Sequence, residues 1–119
     1  MKRILVIEDN ETNIYLIGFI LKKNGHEVIE ARSGEEGLEL AIKEKPDLIL
    51  MDIQLPGIDG LETTKRIRKI EADRKPPIIA LTSYAMTGDR EKSLAAGCTG
   101  YIEKPINPDT FMGEIEKYL

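Results

Sequence analysis

Four apolar runs in this chain lead directly into residues able to do chemistry. Glu8 and Asp9 follow Ile4-Leu5-Val6-Ile7, and Asp52 follows Leu48-Ile49-Leu50-Met51. Thr82 and Ser83 follow Ile78-Ile79-Ala80-Leu81, and Lys104 with Pro105 lies just beyond Tyr101-Ile102. Taken singly, Asp9 reads as a helix N-cap and Lys104 as a solvated lysine. Taken together, three carboxylates, a hydroxyl and an ammonium need a common reason. Clustered carboxylates repel one another and drive a pKa upward unless a cation intervenes. Three carboxylates and one lysine sum to a formal charge of −2, which one divalent cation would neutralise. Oxygen-only ligation suits Mg2+, with Mn2+ or Ca2+ next by ligand type.

These residues form a site only if the run ends meet, and the elements between them say how. The apolar runs are mostly rich in β-branched residues and lack strict alternation, which suits strands covered on both faces; Val28-Ile29 supplies a further short run. Between them lie stretches of helical length. Ile14, Ile17 and Leu21 recur at helix spacing before an Asn24-Gly25 stop, and Ser33-Gly34-Glu35-Glu36 is a capping-box pattern ahead of Leu38, Ala41 and Ile42. Asp59 to Glu62 opens a segment carrying Leu61, Thr64 and Ile67. A fourth helix is expected over Asp89 to Ala96, ending at Gly97, and Asn107-Pro108 is expected to cap a last helix with Phe111, Ile115 and Leu119 spaced by four. The result is a (βα)5 chain, an α/β fold with a five-stranded parallel sheet and helices on both faces. In such sheets ligands bind outside the carboxyl ends of the strands, near the point where strand order reverses. The run over Val28-Ile29 is followed only by Arg32 and Ser33, as suits an edge strand far from a site.

Composition removes several alternatives. A chain of 119 residues, 41% hydrophobic and 32% charged, fits one globular domain. A net charge of −4 without a long basic stripe argues against direct nucleic-acid binding. The clusters Lys65-Arg66, Arg68-Lys69 and Arg74-Lys75 read as a solvated helix face and its following loop. Cys98 is the one cysteine and His26 the one histidine, which leaves little for a disulfide, a zinc site or a nucleophilic triad. Cys98 is expected to be a small semi-buried residue, and His26 a surface residue where a strand begins. The N-terminal MKRILVIEDN is neither a signal peptide nor a membrane span, so no membrane insertion and a cytoplasmic location are expected.

The stretches VIEDNETN, LILMDIQLPGIDG, IIALTS and GYIEKP, in that order and spacing, resemble the receiver domains of two-component response regulators. The likeness runs from Lys2 to Leu119 and is strongest to stand-alone receivers of the cell-division type and to those carried by hybrid sensor kinases. It implies a doubly wound, flavodoxin-like sheet with strand order 2-1-3-4-5. It also implies one receiver domain over residues 1–119 without an output domain.

The same resemblance assigns roles. Asp52 would accept a phosphoryl group from a sensor histidine kinase or a histidine phosphotransfer protein. Mg2+, for which Mn2+ can substitute, would be held by Asp9, Asp52 and the backbone carbonyl of Gln54, with Glu8 acting through a water or as a direct ligand. Many family members have aspartate at the position of Glu8. Lys104 would pair with a phosphoryl oxygen, its peptide bond to Pro105 being the family's cis bond. Thr82 and the Ser83 backbone N–H would bind phosphate. Thr82 with Tyr101 would form the switch that repacks the face of the fourth helix, fifth strand and fifth helix for a downstream protein. Gln54 and Tyr84 would flank the path of the water that hydrolyses the acyl phosphate, and the apolar loop Tyr84-Ala85-Met86 would lie beside the switch. The chain would thus be a signalling module, not a turnover enzyme, present as a monomer or weak homodimer. The alternatives are a Mg2+-dependent phosphatase working through an aspartyl phosphate, and a flavin-binding module of similar topology. The first usually has a second acid two residues past the nucleophile, where this chain has Gln54. The second wants a Ser/Thr-rich phosphate loop, where this chain has Glu8 and Asp9.

Overall fold

The apolar runs form strands and the amphipathic stretches between them form helices. The computed structural model describes residues 1–70, 75–82 and 89–119. Along the chain they run β1 (Arg3–Ile7), α1 (Glu11–Lys23), β2 (Glu27–Ala31), α2 (Gly34–Glu44) and β3 (Leu48–Asp52). They continue through α3 (Gly60–Ile70), β4 (Ile78–Thr82), α4 (Asp89–Ala96), β5 (Gly100–Glu103) and α5 (Phe111–Glu116). The strands are parallel, in the order β2-β1-β3-β4-β5. That is the doubly wound order implied by the sequence motifs. No helix among the described residues is long and apolar enough to cross a membrane.

Successive strand residues point to opposite faces, so the continuous apolar runs feed two cores at once. Ile4, Val6, Leu48, Leu50, Ile79, Leu81 and Ile102 pack with Ile17 and Leu21 of α1 and with Phe111 and Ile115 of α5. Leu5, Ile7, Ile49, Met51, Ile78 and Ala80 pack on the other side with Ile67 of α3 and with Leu38 and Ala41 of α2. Ile42, expected on the apolar side of α2, is instead half exposed. β3 sits centrally and is buried along its whole length, Asp52 included.

The helix starts are written in side chains. Asn10 caps α1 by accepting from the Asn13 N–H at 3.0 Å, so Asp9 is not the cap. Ser33 Oγ accepts from the Glu36 N–H at 3.1 Å, while Glu36 Oε1 accepts from the Arg32 N–H at 2.6 Å. Asp59 Oδ1 accepts from the Glu62 N–H at 2.8 Å and opens α3. The last helix departs from expectation. Asn107 accepts the Asp109 N–H on its side chain at 2.9 Å, and its carbonyl takes the Thr110 and Phe111 N–H groups. These bonds close a separate turn, and α5 begins only at Phe111, where the chain reaches the core.

Three isolated residues complete the picture. His26 precedes β2, half-buried, and its Nδ1 accepts from the Lys2 N–H at 3.2 Å. Cys98 is buried with Thr64 Oγ1 3.8 Å from its sulfur, and burial pushes its thiol pKa up, which suits packing and not reactivity. Arg68 corrects the reading of a solvated basic face. It is half-buried, donating from Nε to the Gly97 carbonyl at 2.9 Å, from one terminal nitrogen to the Pro76 carbonyl at 2.8 Å and from the other to Thr99 Oγ1 at 3.3 Å. Helix spacing placed a cation at this point, but no local pattern shows the carbonyls that receive it.

Arg68 therefore ties α3 to the segments entering β4 and β5. Arg68→Met should cost about 2 kcal/mol in urea unfolding, since it leaves part-buried carbonyls unpaired. Lys69→Met, at an exposed neighbouring position, should stay within roughly 0.5 kcal/mol of the parent.

Candidate functional site

Parallel strands bring their carboxyl ends to one edge, and the register shows which residues meet there. Ile7 pairs with Met51, Asp52 with Leu81, and Thr82 with Glu103. Glu8, Asp52, Thr82 and Lys104 thus sit at or just past adjacent strand ends, and β1 and β3 flank the point where strand order reverses. The backbone continues the sheet past its last side-chain contacts. Ile53 N–H donates to the Leu81 carbonyl at 3.1 Å, and Lys104 N–H donates to the Thr82 carbonyl at 2.7 Å. The Lys104–Pro105 peptide bond is cis, as the motif implied.

The side chains converge. Lys104 Nζ lies 2.6 Å from Glu8 Oε1 and 3.3 Å from Asp52 Oδ1. Asp52 Oδ1 also accepts the Gln54 N–H at 3.1 Å. Oxygens of Glu8, Asp9 and Asp52 all lie within 4.8 Å of one another. Glu8 is 0% exposed and Asp52 3%, whereas Asp9 is exposed at the mouth. Gln54 directs its backbone, not its exposed side chain, at Asp52.

One ammonium does not balance two buried carboxylates, and the titration of the pair reflects it. Burial pushes Asp52 up to about 7, helped by its hydrogen bond with Glu8 and by the Glu8 charge; Lys104 and the Gln54 N–H pull the other way without prevailing. Glu8 moves down. Burial opposes that shift, but hydrogen bonds from Asp52 and Lys104, with the Lys104 charge, outweigh it. The pair therefore shares one proton, held on the Asp52 side and given up as pH rises through about 7. A divalent cation fits this donor set. All three side chains offer hard oxygen, the site carries surplus negative charge, and a cation would replace the shared proton.

Thr82 is buried at the end of β4. Tyr101 lies in β5 beside Ala80, half-buried against the core formed with α2 and α3. It also lines a groove of about 350 Å³ with Ile102, Glu103, Pro105, Asn107, Thr110 and Glu114. Ser83, Tyr84, Ala85 and Met86, named from the sequence, lie outside the described residues. Sequence reasoning missed the donors that hold Glu8: the Asn10 N–H at 3.3 Å from Oε2 and Asn13 Nδ2 at 3.2 Å from Oε1. Asn13 stands inside VIEDNETN, so the signal was an extra amide one helical turn beyond the acids. It also missed how Gly60 serves the site. Its N–H donates to the Ile53 carbonyl at 2.9 Å, and a Cβ there would run into the Asp52 carbonyl oxygen.

Comparison with known proteins agrees with this geometry. A family model described as the response regulator receiver domain matches residues 4–116. The polar-differentiation response regulator DivK of Brucella ovis is 47% identical over 118 residues, covering 99% of this chain and 96% of its own; that of Brucella anthropi is 45% identical with the same coverage. Among solved structures, the Vibrio cholerae chemotaxis response regulator CheY4 superposes with a TM-score of 0.93 at 29% identity, covering 100% of this chain and 99% of its own. The receiver domain of a Pseudomonas aeruginosa sensor histidine kinase, solved with a magnesium ion coordinated in its active-site cleft, gives 0.89 at 37% identity, with 98% and 96% covered.

A folded pKa raised from 3.8 to about 7 makes the ionised Asp52 a burden on the metal-free fold. That burden is absent below about pH 4, grows through the window up to about pH 7 and stays constant above it. Asp52→Asn removes it, and the new amide can still donate to Glu8. In chelator at pH 8 the variant should unfold with a free energy higher than the parent's, by on the order of 2–4 kcal/mol. The gap should shrink toward zero at pH 4, and saturating Mg2+ at pH 8 should narrow it. Equal stabilities at both pH values would show that the pair does not hold the proton.

Proposed function

The chain belongs to the response regulator receiver domain family, and on that premise we propose that Asp52 is its phosphoryl acceptor. In this reading the phosphorus–nitrogen bond of a phosphohistidine on a sensor kinase or phosphotransfer protein breaks as a bond to an Asp52 carboxylate oxygen forms. The product is an acyl phosphate. The observation that carries the reading is Asp52 itself, a carboxylate at the end of the central strand, 3.3 Å from Lys104 and held by a backbone N–H. Family membership displaces the phosphatase and flavin-module alternatives.

Asp9, Asp52 and the backbone carbonyl of Gln54 would hold Mg2+, with Glu8 acting through a water. The engagement of both Glu8 oxygens by Lys104, Asn13 and Asn10 supports that indirect role. The cation would neutralise charge on the transferring phosphoryl group and keep Asp52 ionised. Lys104 supplies a compact positive charge to a phosphoryl oxygen, and preorganised donors of this kind are among the larger contributions to such transfers. Thr82 completes the phosphate contacts from the end of β4. Thr82 then draws toward the phosphate and Tyr101 turns into the space it leaves, altering the groove between β5 and α5 for a downstream protein. The position of Tyr101, shared between core and groove, supports a switch that reads out at that face. The acyl phosphate would be lost by hydrolysis within the domain, with the exposed Gln54 beside the path of the water.

Incubation with acetyl phosphate and Mg2+, followed by intact mass measurement, tests the reading. Wild type should gain one phosphoryl group, while Asp52→Asn and wild type in excess chelator should gain none. Label persisting in Asp52→Asn would move the acceptor elsewhere, and label persisting in chelator would remove the metal.

A further inference from the structure

Glu8 has no exposed surface, and donors from this chain engage both of its carboxylate oxygens. Oε2 accepts from the Asn10 N–H at 3.3 Å. Oε1 accepts from Lys104 Nζ at 2.6 Å and from Asn13 Nδ2 at 3.2 Å. Asn13 is placed for this contact by the cap of α1, since its own N–H donates to Asn10 Oδ1 at 3.0 Å. A buried carboxylate stripped of a partner is strongly destabilising, so Lys104 cannot leave Oε1 unless another donor remains.

We propose that Asn13 is a positioning residue whose side-chain amide keeps Glu8 Oε1 hydrogen-bonded when Lys104 turns to the phosphoryl group, and so frees Lys104 for that contact. The inference rests on the role given to Lys104 above. Among the described residues, Asn13 Nδ2 shares Glu8 Oε1 with Lys104 and the Asn10 N–H serves Oε2; Asp52, which also hydrogen-bonds Glu8, is itself the proposed phosphoryl acceptor. The Asn13 amide is also neutral, so it satisfies the oxygen without adding a charge to compete with the ammonium or with a divalent cation. Half-buried at the first turn of α1, Asn13 reaches the site without blocking its mouth, where Asp9 is exposed.

The test compares the full chain with Asn13→Leu, which matches the amide in size but donates nothing, and Asn13→Gln, which keeps the donor. With acetyl phosphate and saturating Mg2+, Asn13→Leu should label Asp52 roughly tenfold more slowly, the scale of one lost hydrogen bond to a charged group, and Asn13→Gln should recover most of the rate. If the leucine variant fails to fold, Asn13→Ala removes the donor in its place. A second readout needs no phosphorylation. Urea unfolding in chelator of wild type, Asn13→Leu, Lys104→Met and the double variant should show the double variant losing more than the sum of the singles, because Glu8 Oε1 then has neither donor. A wild-type labelling rate in the donor-less variant, equal slowing in the leucine and glutamine variants, or additive unfolding would each overturn the proposal. Wild type that takes no label would overturn the functional reading instead, and the unfolding cycle judges the Asn13–Glu8–Lys104 contact apart from it.

Discussion

Lys104 sits between two carboxylates that have almost no contact with water, 2.6 Å from Glu8 and 3.3 Å from Asp52. Inside a protein such an arrangement is tolerated only when attraction and hydrogen bonds offset the loss of hydration. Here they do so incompletely, and the shortfall appears as a proton kept on Asp52 up to a pH of about 7. A fully neutralised cluster would be stable and indifferent to ligands. A cluster short of one positive charge has a standing demand for a cation, and Asp9 at the mouth strengthens it.

The rest of the molecule keeps that imbalance from relaxing. Two cores grip alternate residues of every strand, so neither Asp52 nor Glu8 can swing toward solvent without unpacking both layers. The Lys104 backbone is fastened to the Thr82 carbonyl and the Gln54 backbone to the Asp52 carboxylate. The polar groups at this edge are thus held by backbone hydrogen bonds of the sheet and its first loop residues. Arg68 performs a similar service at the opposite end of the sheet, where the chain enters β4 and β5.

Most of the architecture was legible because local rules and the global fold agree. Residues such as Ile4–Ile7 and Leu48–Met51 suit strands buried on both sides, and Ser33 and Asp59 announce helix starts through bonds made within four residues. The acids and lysine were legible because their position after apolar runs is itself a sequence feature. What escaped are contacts between distant parts of the chain. Arg68 has the spacing of a solvent-facing residue, and only the folded molecule supplies the Gly97 carbonyl, 29 positions away. Asn13 looks like an ordinary first-turn polar residue until Glu8 is seen above it. Asn107 was misjudged for a different reason: an Asn-Pro pair can cap a helix or close a free turn, and the core contact of Phe111 decides between them.

Gly60 carries a consequence for how motion can spread from the site. Its missing side chain lets the first turn of α3 rest directly on the Asp52 carbonyl, with the Gly60 N–H fixed to the next carbonyl along. Strand end and helix start are therefore butted together with no side-chain cushion between them. Side chains can change rotamer to absorb a small shift, but backbone in contact with backbone cannot. The β3–α3 junction consequently behaves as a stiff abutment, where a displacement arising at Asp52 cannot be absorbed by a change of rotamer.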